Sequence, residues 1–353
     1  MKYYLSLCLL CILCLKVRSQ HDALRINQLQ VIGSHNSYKK EIEPKLYRFL
    51  EKKDTTNSIQ SLQYTHIPIL EQLDMGLRNL EIDVYADSKG GTYANPKGLS
   101  LAQPDEAFDP NKVMQKPGFK ILHVIDIDFR THYYTLDACL KDIKLWSEAH
   151  PNHEPIFVTL EAKDGKANMF GTQPEEFTTS LFAELDNALK SGLGSDKLIT
   201  PDKVKGKYET LEQAVLNNNW PTLKDARGKF LFILDDSGRK RDLYIKGHPS
   251  LNNRAMFANA NPGTPEAATL FRNNPEDKSI KDLVSKGYII RTRADAGTKE
   301  ARSNDYSHFN MAKDSGAQII TTDYYLPSTL FKSDYHISFE NGTYVRKNPV
   351  TKK

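Results

Sequence analysis

Two histidines and a set of carboxylates stand at or near the ends of apolar runs. His35-Asn36 follows Leu29–Ser34, within Gly33-Ser34-His35-Asn36-Ser37-Tyr38. Glu81-Ile82-Asp83 lies in the next run, and His123 follows Ile121-Leu122 in a third. Ile156-Phe157-Val158-Thr159-Leu160-Glu161-Ala162-Lys163 delays its charges to the end, and Arg291-Thr292-Arg293-Ala294-Asp295 alternates them. Residues two apart on a strand share a face. Glu81 and Asp83 therefore repel each other unless a cation or a basic group joins them. A metal ion is the economical answer, and a salt-bridged interior pair is the plainer one. A histidine at a strand end can move protons near neutral pH, but it serves packing as readily. Taken singly, each feature is an ordinary ion pair or core histidine. As an ordered set, they describe carboxylates, an amide, two histidines and basic side chains gathered at successive run ends.

The elements that must position them are apolar, β-branched runs separated by helical stretches. The runs are Leu29–Ser34, Asn79–Tyr85, Phe119–Ile125, Ile156–Glu161, Phe230–Asp235, Met256–Asn259, Tyr288–Thr292 and Gln318–Thr322. Nearly continuous hydrophobics such as Phe-Leu-Phe-Ile-Leu read as strands buried on both faces. Helical patterns cover Leu136–His150, Pro174–Lys190, Lys299–Ser315 and Ser279–Lys286, the last followed by Gly287. Strands alternating with helices over this length predict an α/β fold, a (β/α)₈ TIM barrel, regular or distorted, with Met256–Asn259 its weakest stave. Such barrels place active sites at the C-terminal ends of their strands. A doubly wound sheet is the alternative, but no G-x-G-x-x-G turn follows the first strand. With no repeat or break in composition, residues 20–353 read as one catalytic domain.

Residues 1–19 read as a secretory signal peptide: Lys2, an apolar run from Leu5 to Leu15, then small residues before Gln20. The run is shorter than the roughly 20 residues a membrane span needs, so a secreted protein is expected, extracellular or periplasmic. Cys8, Cys11 and Cys14 lie in that signal, leaving Cys139 without an intramolecular disulfide partner. Formal charge is +4, and removing Lys2, Lys16 and Arg18 leaves 45 basic against 44 acidic residues. That balance, with no basic stripe among aromatics, argues against nucleic-acid binding. No obligate protein partner is indicated.

His35-Asn36, Glu81-x-Asp83, His123 and Glu161 on its Pro-Ile-Phe-Val-Thr-Leu-Glu strand resemble the catalytic half-barrel of phosphoinositide-specific phospholipase C. Gly33–Tyr38, Leu145–Asp164, Arg291–Ala296 and Thr321–Tyr324 look closer to its secreted, calcium-dependent, single-domain members, of the PLC-like phosphodiesterase superfamily. The resemblance implies that Asn36, Glu81, Asp83 and Glu161 hold Ca²⁺, an all-oxygen set suited to a hard cation. It implies that His35 and His123 flank the scissile phosphate of phosphatidylinositol at a membrane surface. The inositol 2-hydroxyl would attack phosphorus, giving diacylglycerol and a cyclic inositol phosphate. His35 would help deprotonate that hydroxyl or stabilise the phosphorane, and His123 would protonate the leaving oxygen. Lys163, Arg291 and Arg293 are the candidate phosphate contacts by position and facing. The extra modules of the animal enzymes are absent, so contact with lipid falls to the barrel's rim, with Phe170 or Tyr324-Tyr325 as candidates.

Glycerophosphodiester phosphodiesterases and phospholipase D-like barrels use a similar histidine and Glu-x-Asp set, but commonly place a basic residue where this chain has Asn36. A catalytically silent barrel that binds lipid or glycan headgroups would not need both histidines and four oxygen donors together.

Overall fold

A computed structural model describes residues 22–104 and 106–351, so the stretch read as a signal peptide lies outside the described residues. In chain order the strands are β1 (Leu29–Ser34), β2 (Asn79–Tyr85), β3 (Lys120–Ile121), β4 (Ile156–Lys163), β5 (Phe230–Leu234), β6 (Phe257–Ala258), β7 (Thr269–Phe271), β8 (Ile289–Arg293), β9 (Ile319–Thr322) and β10 (Val345–Lys347). Eight of them pair in the order β6-β5-β4-β2-β1-β9-β8-β7, every neighbour parallel. A single bridge, Asn259 to Thr269, joins the two ends. The result is a nearly closed eight-stranded barrel, as the sequence leads one to expect.

One expected stave is wrong. Phe119–Ile125 is not a barrel strand. Only Lys120 and Ile121 are extended, and they run antiparallel to the end of β2, opposite Tyr85 and Val84. Buried Lys120 turns its ammonium to Asp87, 3.3 Å away, and the next residues fold back in a turn bridged from Val124 to Asp128. β2 therefore pairs directly with β4 along its whole length. The stave that takes the vacated place in the count is β7, three residues too short to stand out as an apolar run.

β1, β2 and β5 are buried at every position, as parallel strands covered on both faces must be. β1 and β2 meet at Gly33, opposite Asn79. A Cβ at Gly33 would come within 2.3 Å of the Asn79 carbonyl oxygen, so any side chain there would push β2 and its carboxylates away. The helix Leu136–Ala149 starts at Thr135, whose hydroxyl accepts from the Ala138 amide, and buries Cys139, Leu140 and Ile143 on one side. The expected helix Pro174–Lys190 begins later, at Thr179, where the Thr178 side chain caps it. Lys299–Ser315 is broken into Lys299–Ser303 and Ser307–Ser315, because Asn304 takes a left-handed φ of 52°. The Asp305 carboxylate then accepts from the Ser307 amide and starts the second piece.

Tyr324 and Tyr325 do not form a lipid-facing rim: each is 2% exposed and packs inside the layer between barrel and helices. Phe170 is half-buried against the cluster around Ile42 and Leu46.

Candidate active site

The first strand ends in a hydrogen-bonded turn. The Ser34 hydroxyl lies 2.6 Å from both the Ser37 hydroxyl and Gln72 Oε1, and the His35 amide donates to the Thr322 carbonyl at 3.0 Å. This anchoring sets His35 Nδ1 2.7 Å from Asp323 Oδ1. Asp323 is fixed in turn by its amide, which donates to Asp295 Oδ1 at 2.9 Å, while the Thr322 hydroxyl donates to Oδ2 of the same Asp295. The shorter contact is the one to Asp323, since the Arg293 guanidinium lies 3.1 Å from the same Nδ1; with the proton on Nδ1 and directed at Asp323, Nε2 is the basic nitrogen. Burial first, then the Arg293 guanidinium, holds His35 well below the ordinary histidine range, so the ring is neutral. Below it, His66 Nε2 donates to the His35 carbonyl at 2.7 Å, and its ring stacks on Tyr325.

Glu81 and Asp83 share one face of β2, as the spacing requires, yet their partners differ. Glu81 Oε2 accepts from Arg291 at 2.5 Å and from the Thr159 hydroxyl at 3.3 Å, and Oε1 is 3.4 Å from His35 Nε2. Asp83 pairs in register with Glu161 on β4, and the Lys163 ammonium sits between them, 3.4 Å from Asp83 and 3.2 Å from Glu161. Both Asp83 oxygens are buried without a hydrogen-bond partner. Burial pushes this carboxyl up to about 6, against the pull of Lys163. Asn36, held at a left-handed φ of 50°, donates through Nδ2 to the Tyr64 hydroxyl at 2.7 Å, and its Oδ1 is 3.5 Å from the Tyr38 hydroxyl.

Among the described residues, no three His, Cys, Asp or Glu side chains converge as a ready metal cage. Lys163 and Arg291 explain the spacing, since each neutralises a carboxylate that a divalent cation would otherwise draw inward. The donors nevertheless fit a hard cation. All are oxygen, and Asp83 is a buried carboxylate without a hydrogen bond whose one ionic contact is Lys163, 3.4 Å from Oδ2, a costly arrangement that a cation relieves.

His123 sits in the turn after β3 and not at the end of a barrel strand. Its Nδ1 is 2.8 Å from Asp128 Oδ2, and the buried Lys39 ammonium lies 3.3 Å from the same oxygen. The Tyr85 hydroxyl donates to the His123 carbonyl at 3.1 Å, tying the turn to β2. Tyr85 lies two residues beyond Asp83 on β2, so this contact sets His123 beside the carboxylate end of that strand.

The three candidate phosphate contacts part company. Arg291 is buried, held by Glu81 and Asn273 and lying over the Phe271 ring. Lys163 and Arg293 keep side-chain exposures of 21% and 20% and so stay partly open to solvent.

Three carboxylates at the site escape the sequence reading. Asp323 directly follows the last stave, so the rule that chemistry gathers at strand ends points to it. Asp128 is five residues past His123 in a turn that no periodicity reveals. Asp235 ends the β5 run and is half-buried beside Glu161. Burial and the neighbouring Glu81, Glu161 and Asp236 push it up to about 8, against the pull of Arg291.

Fold and site together define a parallel barrel with two histidine–carboxylate pairs facing a row of oxygen donors at the strand ends. The sequence profile of the Ca²⁺-dependent phosphoinositide phospholipase C family matches residues 24–349. The chain belongs to this family, whose members are calcium-dependent phosphodiesterases specific for phosphatidylinositol lipids. Among solved structures, it is similar to a calcium-dependent phosphoinositol-specific phospholipase C of Pseudomonas sp. at 18% identity and TM-score 0.53, covering 93% of this chain and 97% of that one. It is also similar to the Ca²⁺-dependent phosphatidylinositol-specific enzyme of Streptomyces antibioticus at 19% identity and TM-score 0.54, covering 87% and 98%. At these identities the likeness is one of fold. No curated protein sequence matches the chain.

Proposed function

We propose that the chain is a secreted phospholipase C that cleaves phosphatidylinositol by internal attack of the inositol 2-hydroxyl. The observation that carries this reading is the pairing of each histidine with its own carboxylate: His35 with Asp323 at 2.7 Å and His123 with Asp128 at 2.8 Å. A pair of oriented imidazoles is what a transfer needs when one proton is removed and another delivered.

Neutral His35, its Nδ1–H fixed on Asp323, presents Nε2 to take the proton from the 2-hydroxyl. The oxygen forms its bond to phosphorus as the bond to the glycerol oxygen breaks. His123, oriented by Asp128, gives its proton to that oxygen, releasing diacylglycerol and leaving inositol 1,2-cyclic phosphate. Arg293 and Lys163 contact the phosphoryl oxygens, while Arg291 holds Glu81 in place. Asn36, Asp83, Glu161 and Glu81 are the residues that would hold Ca²⁺, with Lys163 and Arg291 yielding part of their contacts. Bound there, the ion supplies charge that neutralises the phosphoryl group and acidifies the attacking hydroxyl.

Residues 1–19 are proposed as the exported signal and 20–353 as one catalytic domain acting at a membrane surface. Among the described residues no helix is long and apolar enough to cross a membrane. Incubation with phosphatidylinositol vesicles, with products followed by phosphorus NMR, tests the reaction. A cyclic phosphate is expected, and release of phosphatidic acid would point to phospholipase D chemistry instead.

A further inference from the structure

We propose that His66 is a positioning residue for the reaction: its Nε2–H bond to the His35 carbonyl fixes the peptide joining His35 to Asn36, and with it the aim of the His35 imidazole at Asp323. This rests on the phospholipase reading above, in which His35 takes the proton from the 2-hydroxyl.

A carbonyl oxygen can only accept, so the 2.7 Å contact between His66 Nε2 and the His35 carbonyl puts the His66 proton on Nε2. Burial lowers the pKa of this ring to about 4, so Nε2–H is its one proton at neutral pH. Nδ1 is then an acceptor, and it is buried without a hydrogen-bond partner. Burying an unpaired acceptor costs free energy that an apolar ring of similar shape would not. Packing alone therefore does not account for a histidine here.

His66 is itself firmly held. Its amide donates to the Lys39 carbonyl at 3.0 Å, and its carbonyl accepts from His132 Nε2 at 2.8 Å. Its ring stacks on Tyr325 with centroids 5.3 Å apart and planes inclined by 18°. The Ile67 amide donates to the hydroxyl of the same tyrosine at 3.2 Å. Tyr325 is two residues past Asp323, so the segment that supplies the partner of His35 also supports His66.

The bond controls one peptide plane. The His35 amide is tied separately, to the Thr322 carbonyl at 3.0 Å. The His35 carbonyl belongs to the next peptide, whose orientation is shared with the left-handed φ of 50° at Asn36. Residues other than glycine seldom adopt that conformation, and it persists only where the surroundings enforce it. Without the His66 donor the peptide is free to turn toward an ordinary φ, carrying the His35 ring away from Asp323. A misplacement of about 1 Å at a reacting group costs about 10²-fold in rate.

Two variants separate this role from packing. His66→Phe keeps a ring on Tyr325 but has no donor, whereas His66→Gln keeps a donor with a reach like that of Nε2 but loses the ring. Turnover of phosphatidylinositol vesicles by the full chain with Ca²⁺ is measured beside thermal melts. His66→Phe should lower kcat by about 10²-fold, with KM and melting temperature nearly unchanged. His66→Gln should recover about tenfold of that loss despite a lower melting temperature. A second measurement needs no turnover. The proton between His35 Nδ1 and Asp323 gives a far-downfield NMR resonance, assigned by its loss in Asp323→Asn. It should persist in His66→Gln and broaden away in His66→Phe. Wild-type kcat in His66→Phe, or losses that follow melting temperature across both variants, overturns the proposal, as does an unchanged resonance in His66→Phe. If wild type turns over no inositol lipid, the phospholipase reading falls, and the resonance in the two variants still shows whether His66 sets the His35 ring.

Discussion

Arg291 on β8 reaches across the barrel to Glu81 on β2, with a guanidinium nitrogen 2.5 Å from Oε2. Their side chains are 2% and 3% exposed, so each is the other's main compensation for leaving water. Breaking a buried pair from one side costs about 3–5 kcal/mol, whereas replacing both partners is much cheaper. Arg291→Ala should therefore destabilise the fold by about that much, and Glu81→Gln combined with Arg291→Met should recover most of it. Denaturant melts of the single and double variants check this. Additive losses would show that the two residues act independently.

The His35–Asp323 pair predicts a positioning effect. Asp323→Asn removes the acceptor that fixes the Nδ1 proton. Turnover should fall by about 10²- to 10⁴-fold with little change in KM. The pH–rate profile should shift as well, a change that a merely structural aspartate would not produce. An unaltered profile together with a lowered melting temperature would mean that Asp323 only packs the strand end.

The role of His123 is separable from that of His35. His123→Ala should slow the lipid by about 10²- to 10⁴-fold. It should slow an inositol phosphate ester of nitrophenol far less, because that leaving group departs without a proton. His35→Ala should damage both substrates alike. Equal losses on both substrates for the His123 variant would remove it as the acid.

Far from the site, His153 is buried behind Trp146, with Nε2 2.8 Å from the Ser147 hydroxyl. Burial lowers its pKa to about 4, below the ordinary 6.5. The unfolded chain binds this proton first. The contribution of neutral His153 to stability is therefore complete above about pH 6.5, declines as pH falls toward 4, and levels off below. Over that window the change is about 3 kcal/mol. The gap in melting temperature between wild type and His153→Gln should narrow from pH 7.5 to pH 4.5. A constant gap would place the cause outside this proton.

Much of this is legible in the sequence because parallel staves are buried on both faces and announce themselves as apolar runs. β5 and β2 are read nearly to the residue. β7, three residues long, carries too little pattern. Phe119–Ile125 carries too much: its apolar residues pack against the helix layer and the turn, not in a stave. The chemistry shows the same divide. His35, Glu81, Asp83 and Glu161 sit at or near strand ends where facing follows from period two. Asp128 and Lys39 reach His123 through a turn and a loop, and no spacing rule brings them together. Arg291 and Arg293 share a face in sequence, but only the fold shows that one is sealed against Glu81 while the other stays open.

The most direct test is turnover of phosphatidylinositol with and without chelator, together with calcium binding by calorimetry to wild type and Asp83→Asn. The expected result is cyclic inositol phosphate formed only with Ca²⁺. Binding should lie in the range of weak extracellular sites, about 10⁻⁴ to 10⁻³ M, and be weakened in the Asp83→Asn variant while its melting temperature in chelator is retained. Full activity in excess chelator, or calcium binding unchanged by Asp83→Asn, would contradict it.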